Sequence, residues 1–232
     1  MKILIVSATR KEIEPILSIY GKAESLASGL LRATDNNLVI DFLVTGMGMV
    51  PTAVKTTRFL AENGYQLTIN AGICGSYRRS LLIGEVVNVT TDCFPEVGAE
   101  NGSKFISVFD MNLADPNEFP FENGKIINHN TFREPAEIEL RKVIGNTVNK
   151  VHGNEESIRL FLHANDADIE TMEGAAFMYA ASLSNVPYMQ IRAISNYVEK
   201  RNTSTWNTPL AIENLNFVLE RFIARLKEKG SV

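Results

Sequence analysis

Met1-Lys2-Ile3-Leu4-Ile5-Val6-Ser7-Ala8-Thr9-Arg10-Lys11-Glu12 opens the chain, and its first half decides the fold class. Ile3 to Val6 is an unbroken apolar run. A strand with one wet face alternates apolar and polar residues, so a run with no polar side predicts a strand buried on both faces. Ile13, Ile16 and Leu17 then recur at helical spacing across Arg10–Ser18, with Pro15 read as tolerable in a first turn.

The same alternation continues outward. A strand over Leu38–Val44 ends in Thr45-Gly46-Met47-Gly48, and a helix over Pro51–Glu62 is closed by Asn63-Gly64. A strand over Leu67–Asn70 feeds Ala71-Gly72-Ile73-Cys74-Gly75, and Gly84 introduces another over Glu85–Val89. Residues 92–135 are polar and rich in Pro and Asn, with one short strand expected at Lys125–Ile127. Beyond them the pattern predicts a strand at Val143–Val151 and a helix at Glu155–Leu162. A buried helix of small and apolar residues follows at Met172–Leu183, then a central strand at Pro187–Ile194 and an amphipathic helix at Pro209–Lys227. Strands alternating with helices imply an α/β fold. We expect a single domain over residues 1–232, with a mixed, mostly parallel central sheet and helices on both faces. Ligands of such sheets bind where loops leave the carboxyl ends of strands.

Composition narrows the function. The 232 residues are 45% hydrophobic, enough for one sizeable core, and the formal net charge is −4. Lys and Arg cluster only near the C-terminus (Arg221, Arg225, Lys227, Lys229), which reads as a cationic helix end, so no nucleic-acid partner is expected. No stretch approaches the roughly 20 apolar residues of a membrane span, and the apolar start is too short for a signal-peptide core. A cytoplasmic enzyme with reduced Cys74 and Cys93 is the expectation. His129, His152 and His163 share no metal-ligand spacing with each other or with the cysteines; neither a metal site nor a cofactor is expected.

Four segments carry possible chemistry, each with an ordinary alternative. Glu12, one turn into a helix beside a buried strand, reads as a general base toward water or as a solvated Glu favouring the helix dipole. The turns around Met47 and around Gly72 and Ile73 let backbone approach a ligand, but tight turns leaving buried strands need glycine anyway. Glu173, after Met172, opens an apolar helix. A buried carboxylate needs partners, and the 2′,3′-diol of a sugar supplies two donors; the alternative is an ordinary Glu at a helix N-terminus. Arg192 on a central strand needs an acceptor, while Ser195 and Asn196 end that strand as leaving-group contacts or as turn residues.

Taken together, Met1–Glu12, Thr45–Val50, Ile69–Gly75, Ile83–Val89, Glu170–Ala176 and Pro187–Asn196 resemble, in order, the nucleoside phosphorylase/nucleosidase family that includes methylthioadenosine nucleosidase. Within that family the chain is similar to its futalosine-cleaving members. This is carried by Ser7-Ala8-Thr9 with Glu12, Asp92–Glu100, Thr147-Val148-Asn149, Glu170–Ala176 and Ser195–Val198. The resemblance implies hydrolysis of the N-glycosidic bond of a purine nucleoside, with futalosine releasing hypoxanthine in menaquinone synthesis. A phosphate-dependent phosphorylase and a catalytically weak nucleoside-binding protein are the alternatives. It implies Glu12 as water-activating carboxylate, Met172 and Glu173 under the ribose, Arg192 behind the site and Met47 near the 5′ substituent. Asn196 stands where methylthioadenosine nucleosidase has its catalytic Asp, and Ile73 where that enzyme has a serine. The implied partners are a small purine nucleoside and water, with a homodimer or larger homo-oligomer. Trp206 is open as a stacking residue or a surface anchor, and Val148–His152 is the region expected to face the base.

Overall fold

The computed structural model describes residues 1–20, 24–27, 29–35, 37–102, 104–129 and 138–229. The elements in order are β1 (Lys2–Ser7), α1 (Arg10–Ile19), β2 (Glu24–Ala27), β3 (Leu30–Asp35), β4 (Leu38–Val44), α2 (Met49–Asn63), β5 (Leu67–Ser76) and β6 (Val86–Asp92). Next come β7 (Gly98–Asn101), β8 (Lys104–Ser107), β9 (Phe121–Glu122), β10 (Lys125–Ile127), β11 (Arg141–Thr147) and α3 (Glu155–Ala164). The chain continues through β12 (Ile169–Thr171), α4 (Gly174–Leu183), β13 (Tyr188–Tyr197) and α5 (Thr208–Lys229).

The parallel strands β4, β1, β5 and β13 lie side by side at the centre of the expected mixed sheet. On one flank β3 pairs antiparallel with β4, and β2 with β3. On the other, β13 pairs antiparallel with β6, β6 parallel with β11, β11 parallel with β12, and β12 returns antiparallel to β5. Five strands thus close into a ring packed with Cys74, Val87, Val89, Val143, Ile169 and Ile194.

The apolar opening run serves two cores. Ile3 and Ile5 pack with Ile13 and Ile16 of α1 and Leu215, Leu219 and Phe222 of α5. Leu4 and Val6 point the other way, toward Phe59 and Leu60 of α2 and Ala175, Phe177 and Met178 of α4. Period-two alternation explains why no polar residue interrupts the strand.

Several expected boundaries move. Pro15 falls in the second turn of α1, not the first; its missing N–H leaves the carbonyl of exposed Lys11 to solvent. The strand expected to run to Val151 ends at Thr147, and the helix expected from Met172 begins at Gly174. Residues 92–129 hold the β7–β8 hairpin and β9 besides the expected β10, while 130–135 lie outside the described residues. The β2–β3 pair was not foreseen: its pattern is broken by Arg32, whose Nε and Nη2 each donate at 2.6 Å to buried Asp41 of β4. Among the described residues, no helix is long and apolar enough to cross a membrane.

Candidate active site

Glu12 is only 7% exposed, which removes the solvated reading. Thr9 caps α1, and the Glu12 carboxylate turns back onto it. Oε2 accepts from Thr9 N at 2.8 Å, Thr9 Oγ1 at 2.8 Å and Ser7 Oγ at 3.1 Å. Three donors saturate that oxygen and fix the side chain. Among the described residues Oε1 accepts only the Ile73 N–H, at 3.1 Å, which leaves it a lone pair. So Ile73 enters the site through its backbone.

Gly72 explains what Oε1 faces. A Cβ there would come within 2.9 Å of Glu12 Oε1 and would overlap Nη1 of Arg192, so both groups lie over this glycine. Arg192 pairs directly across the β5–β13 ladder with Gly72 and is fully buried. Its Nη2 donates to Asn70 Oδ1, but Nε and Nη1 have no partner among the described residues. A buried, under-partnered guanidinium is costly unless something else supplies acceptors. Arg192 and Glu12 Oε1 therefore present a donor and an acceptor over one bare stretch of backbone.

Glu173 joins them from the other side. It occupies the position before α4 and is 7% exposed, and its Oε1 accepts the Gly48 N–H at 2.9 Å. Gly46 and Gly48 both take positive φ, which lets the loop after β4 turn that N–H toward the carboxylate. Burial pushes the Glu173 carboxyl upward; Arg192 and the backbone N–H groups pull it back, and the charge of Glu12 adds to the rise. Met172 is half-buried beside it, whereas Met47 is 70% exposed at the rim.

Asn196 lies further along. The β13 register slips between Ile194 and Asn196, so Ser195 is a bulge residue and Asn196 is re-aimed opposite Gly75. A Cβ on Gly75 would stand 3.3 Å from Asn196 Nδ2. The amide is held locally: Oδ1 accepts from Ser195 Oγ at 2.8 Å and Nδ2 donates to Tyr197 O at 3.0 Å. One lone pair and one N–H remain for a ligand. Three residues of strand separate Gly72 from Gly75, roughly 10 Å. The structure thus gathers Glu12, Glu173, Arg192, Gly72 and Ile73 in one place, and puts Ser195 and Asn196 one step along the same strand pair.

Sequence reasoning missed the residues that hold these groups. Ser7 and Thr9 orient Glu12, and Asn70 holds Arg192. Fully buried Asp92 lies under the start of α4, accepting from Gln190 Nε2 at 3.0 Å, Thr147 Oγ1 at 3.0 Å and Cys93 N at 2.8 Å. Asn70 was discoverable in principle, as a polar residue ending an apolar strand run. Trp206 stacks under Arg201, 5.2 Å from guanidinium to ring centre, as a surface anchor would.

A phosphorylase superfamily model matches residues 2–224, and the chain belongs to that superfamily. A futalosine hydrolase of Thermus thermophilus is 26% identical over 186 residues, covering 79% of this chain and 80% of that one. A 5′-methylthioadenosine/S-adenosylhomocysteine nucleosidase of Maridesulfovibrio salexigens is 25% identical, covering 88% and 89%. The native structure of a Helicobacter pylori futalosine hydrolase superposes with a TM-score of 0.79 at 18% identity, over 97% of this chain and 98% of that one. That last likeness speaks to the fold alone.

Proposed function

We propose that this chain hydrolyses the N-glycosidic bond of a 6-oxopurine nucleoside, with futalosine as the leading substrate. The observation that carries it is the convergence of Glu12 Oε1 and Arg192 Nη1 over Gly72, with Glu173 close enough to feel the charge of both. Cleavage passes through a cation-like ribosyl group, so the site must activate water, hold the sugar and help the base leave. Glu12 Oε1 takes the water proton while Arg192 holds the water oxygen. Glu173 accepts from the ribose hydroxyls, a contact that tightens as positive charge grows on the sugar.

Asn196 meets the base. Its amide accepts from N7–H and donates to the oxygen at C6, a two-point match that a 6-amino group does not give. The unmatched contact costs about 1–3 kcal/mol when buried. Three carboxylates near Arg192 (Glu12, Glu173 and Asp92) oppose an incoming phosphate, which favours water as nucleophile. Curated relatives named futalosine hydrolase support the same substrate.

The deciding experiment incubates the enzyme with futalosine, inosine and methylthioadenosine in phosphate-free buffer. We expect hypoxanthine release from futalosine. Turnover that requires phosphate makes the chain a phosphorylase, and tight binding without base release makes it a binding protein.

A homodimer or larger homo-oligomer in the cytoplasm belongs to the same reading. Val50 and Val54 are 74% and 63% exposed one turn apart on α2, beside Met47, an apolar face that a second copy covers. Sedimentation that finds only monomers at assay concentration contradicts it.

A further inference from the structure

The glycosidase reading leaves a chemical gap. An amide such as Asn196 exchanges hydrogen bonds but releases no proton, and a departing purine leaves best when a proton reaches it. A carboxylate and an imidazole stand one strand away. β12, β5 and β13 run side by side, and Glu170, Gly75 and Asn196 are direct neighbours across them. A Cβ on Gly75 would be 3.3 Å from Asn196 Nδ2 and 3.7 Å from Glu170 Cγ. Val198 Cγ2 is nearer still, at 2.8 Å, so Asn196, Glu170 and Val198 all crowd the space over this glycine.

Glu170 is 4% exposed and anchored by three donors. Oε1 accepts the His152 N–H at 3.0 Å; Oε2 accepts from Tyr77 Oη at 2.6 Å and from His152 Nδ1 at 2.8 Å. Tyr77 donates a hydrogen bond to the carboxylate, and burial beside Glu170 pushes its own ionisation upward, so it keeps its proton. The Phe161 ring of α3, 4.3 Å from the imidazole, fixes its plane. Nε2 has no partner among the described residues, and it is not among the atoms sealed from solvent without one. One imidazole nitrogen is thus tied to a carboxylate while the other is open, an arrangement that sets up proton transfer. The carbonyl of the next residue also meets the loop after β13, where Arg201 N donates to Gly153 O at 3.0 Å.

We propose that His152, positioned by Glu170, gives the departing base its proton; this rests on the glycosidase reading. With Nδ1–H held by Glu170, a second proton on Nε2 makes an imidazolium whose charge the carboxylate balances. The C1′–N bond breaks with its electron pair going to the base, and the Nε2 proton moves to a ring nitrogen of that base. The water oxygen bonds to C1′ and passes its proton to Glu12. Proton exchange with solvent then returns neutral Glu12–H and His152 to their starting states.

The test compares two leaving groups in wild type, His152→Ala and Glu170→Gln. Hypoxanthine needs a proton to leave inosine or futalosine; nitrophenolate leaves a nitrophenyl riboside without one. We expect His152→Ala to lose about 10²–10⁴-fold on the nucleoside but only a few-fold on the nitrophenyl riboside. Glu170→Gln, which keeps the packing, should show the same split at smaller size, and added imidazole should restore nucleoside cleavage to His152→Ala. Equal losses on both substrates, or a His152→Ala enzyme that imidazole leaves unchanged, overturn the assignment. A wild type that releases base from no nucleoside instead overturns the glycosidase reading itself; a wild type active on nucleosides whose variants match it overturns only the role of His152.

Discussion

Gly72 and Gly75 lie on one strand, each beneath polar side chains, yet the two ends of the site are built differently. Over Gly72 stand a carboxylate fixed by four donors and a buried arginine with spare N–H groups, and Glu173 hangs from a neighbouring backbone N–H. Over Gly75 stand the Val198 methyl, an amide held by its chain neighbours, and Glu170, whose carboxylate is bonded in turn to His152 and Tyr77. The first end is rigid and charged, as suits stabilising a cationic sugar. The second is neutral at Asn196 and reads shape and hydrogen bonds, as suits recognising a base. The difference separates catalysis from specificity along one strand pair.

Substitutions at the first end should lower turnover without changing base preference. Glu12→Gln removes the proton acceptor while keeping most of its hydrogen bonds, and we expect kcat to fall about 10²–10⁴-fold, followed by hypoxanthine release. Gly72→Ala drives a methyl into Arg192 Nη1 and toward Glu12 Oε1, and we expect a loss of about 10²-fold with a folded protein, since misplacing reacting groups by about 1 Å costs that much.

At the second end the signature reverses. Asn196→Asp should move the ratio of inosine-type to methylthioadenosine-type kcat/KM toward the 6-aminopurine by about 10–100-fold, the span of one unmatched buried hydrogen bond. An unchanged ratio would remove Asn196 from base recognition.

Asp92, under the start of α4, gives the smallest effect. Burial pushes its carboxyl up to about 6, from the ordinary 3.8. The folded state therefore holds a proton that the unfolded chain has already lost in that interval. This contribution to stability is complete below the unfolded value and disappears as pH rises through about 6. Measured by thermal melts from pH 4 to 7, wild type should lose a few degrees of Tm relative to Asp92→Asn across that range. Parallel curves would contradict it.

What the sequence disclosed follows the same division. The unbroken run Ile3–Val6 has one physical meaning, and the layered sheet follows from it. Glu12, Glu173 and Arg192 were visible because charged residues beside buried apolar runs need a reason. The closed ring was not visible, because β12 is three residues long and the pairings of β13 with both β5 and β6 are long-range. The Gly75 end suffered most: Asn196 reaches Gly75 only through the Ser195 bulge, and a register slip leaves no local pattern. His152 and Glu170 meet through packing of a loop on a ring strand, so neither spacing nor composition pairs them.

The central claim is that one nucleoside spans both glycines. A crystal structure with a C-linked 6-oxopurine riboside, which the enzyme binds but cannot cleave, tests it directly. The ribose hydroxyls are expected on Glu173, beside Glu12 and Arg192, and the base against Asn196 above Gly75. A ligand bound with its base at Glu12 and Arg192, or outside both glycines, would contradict it.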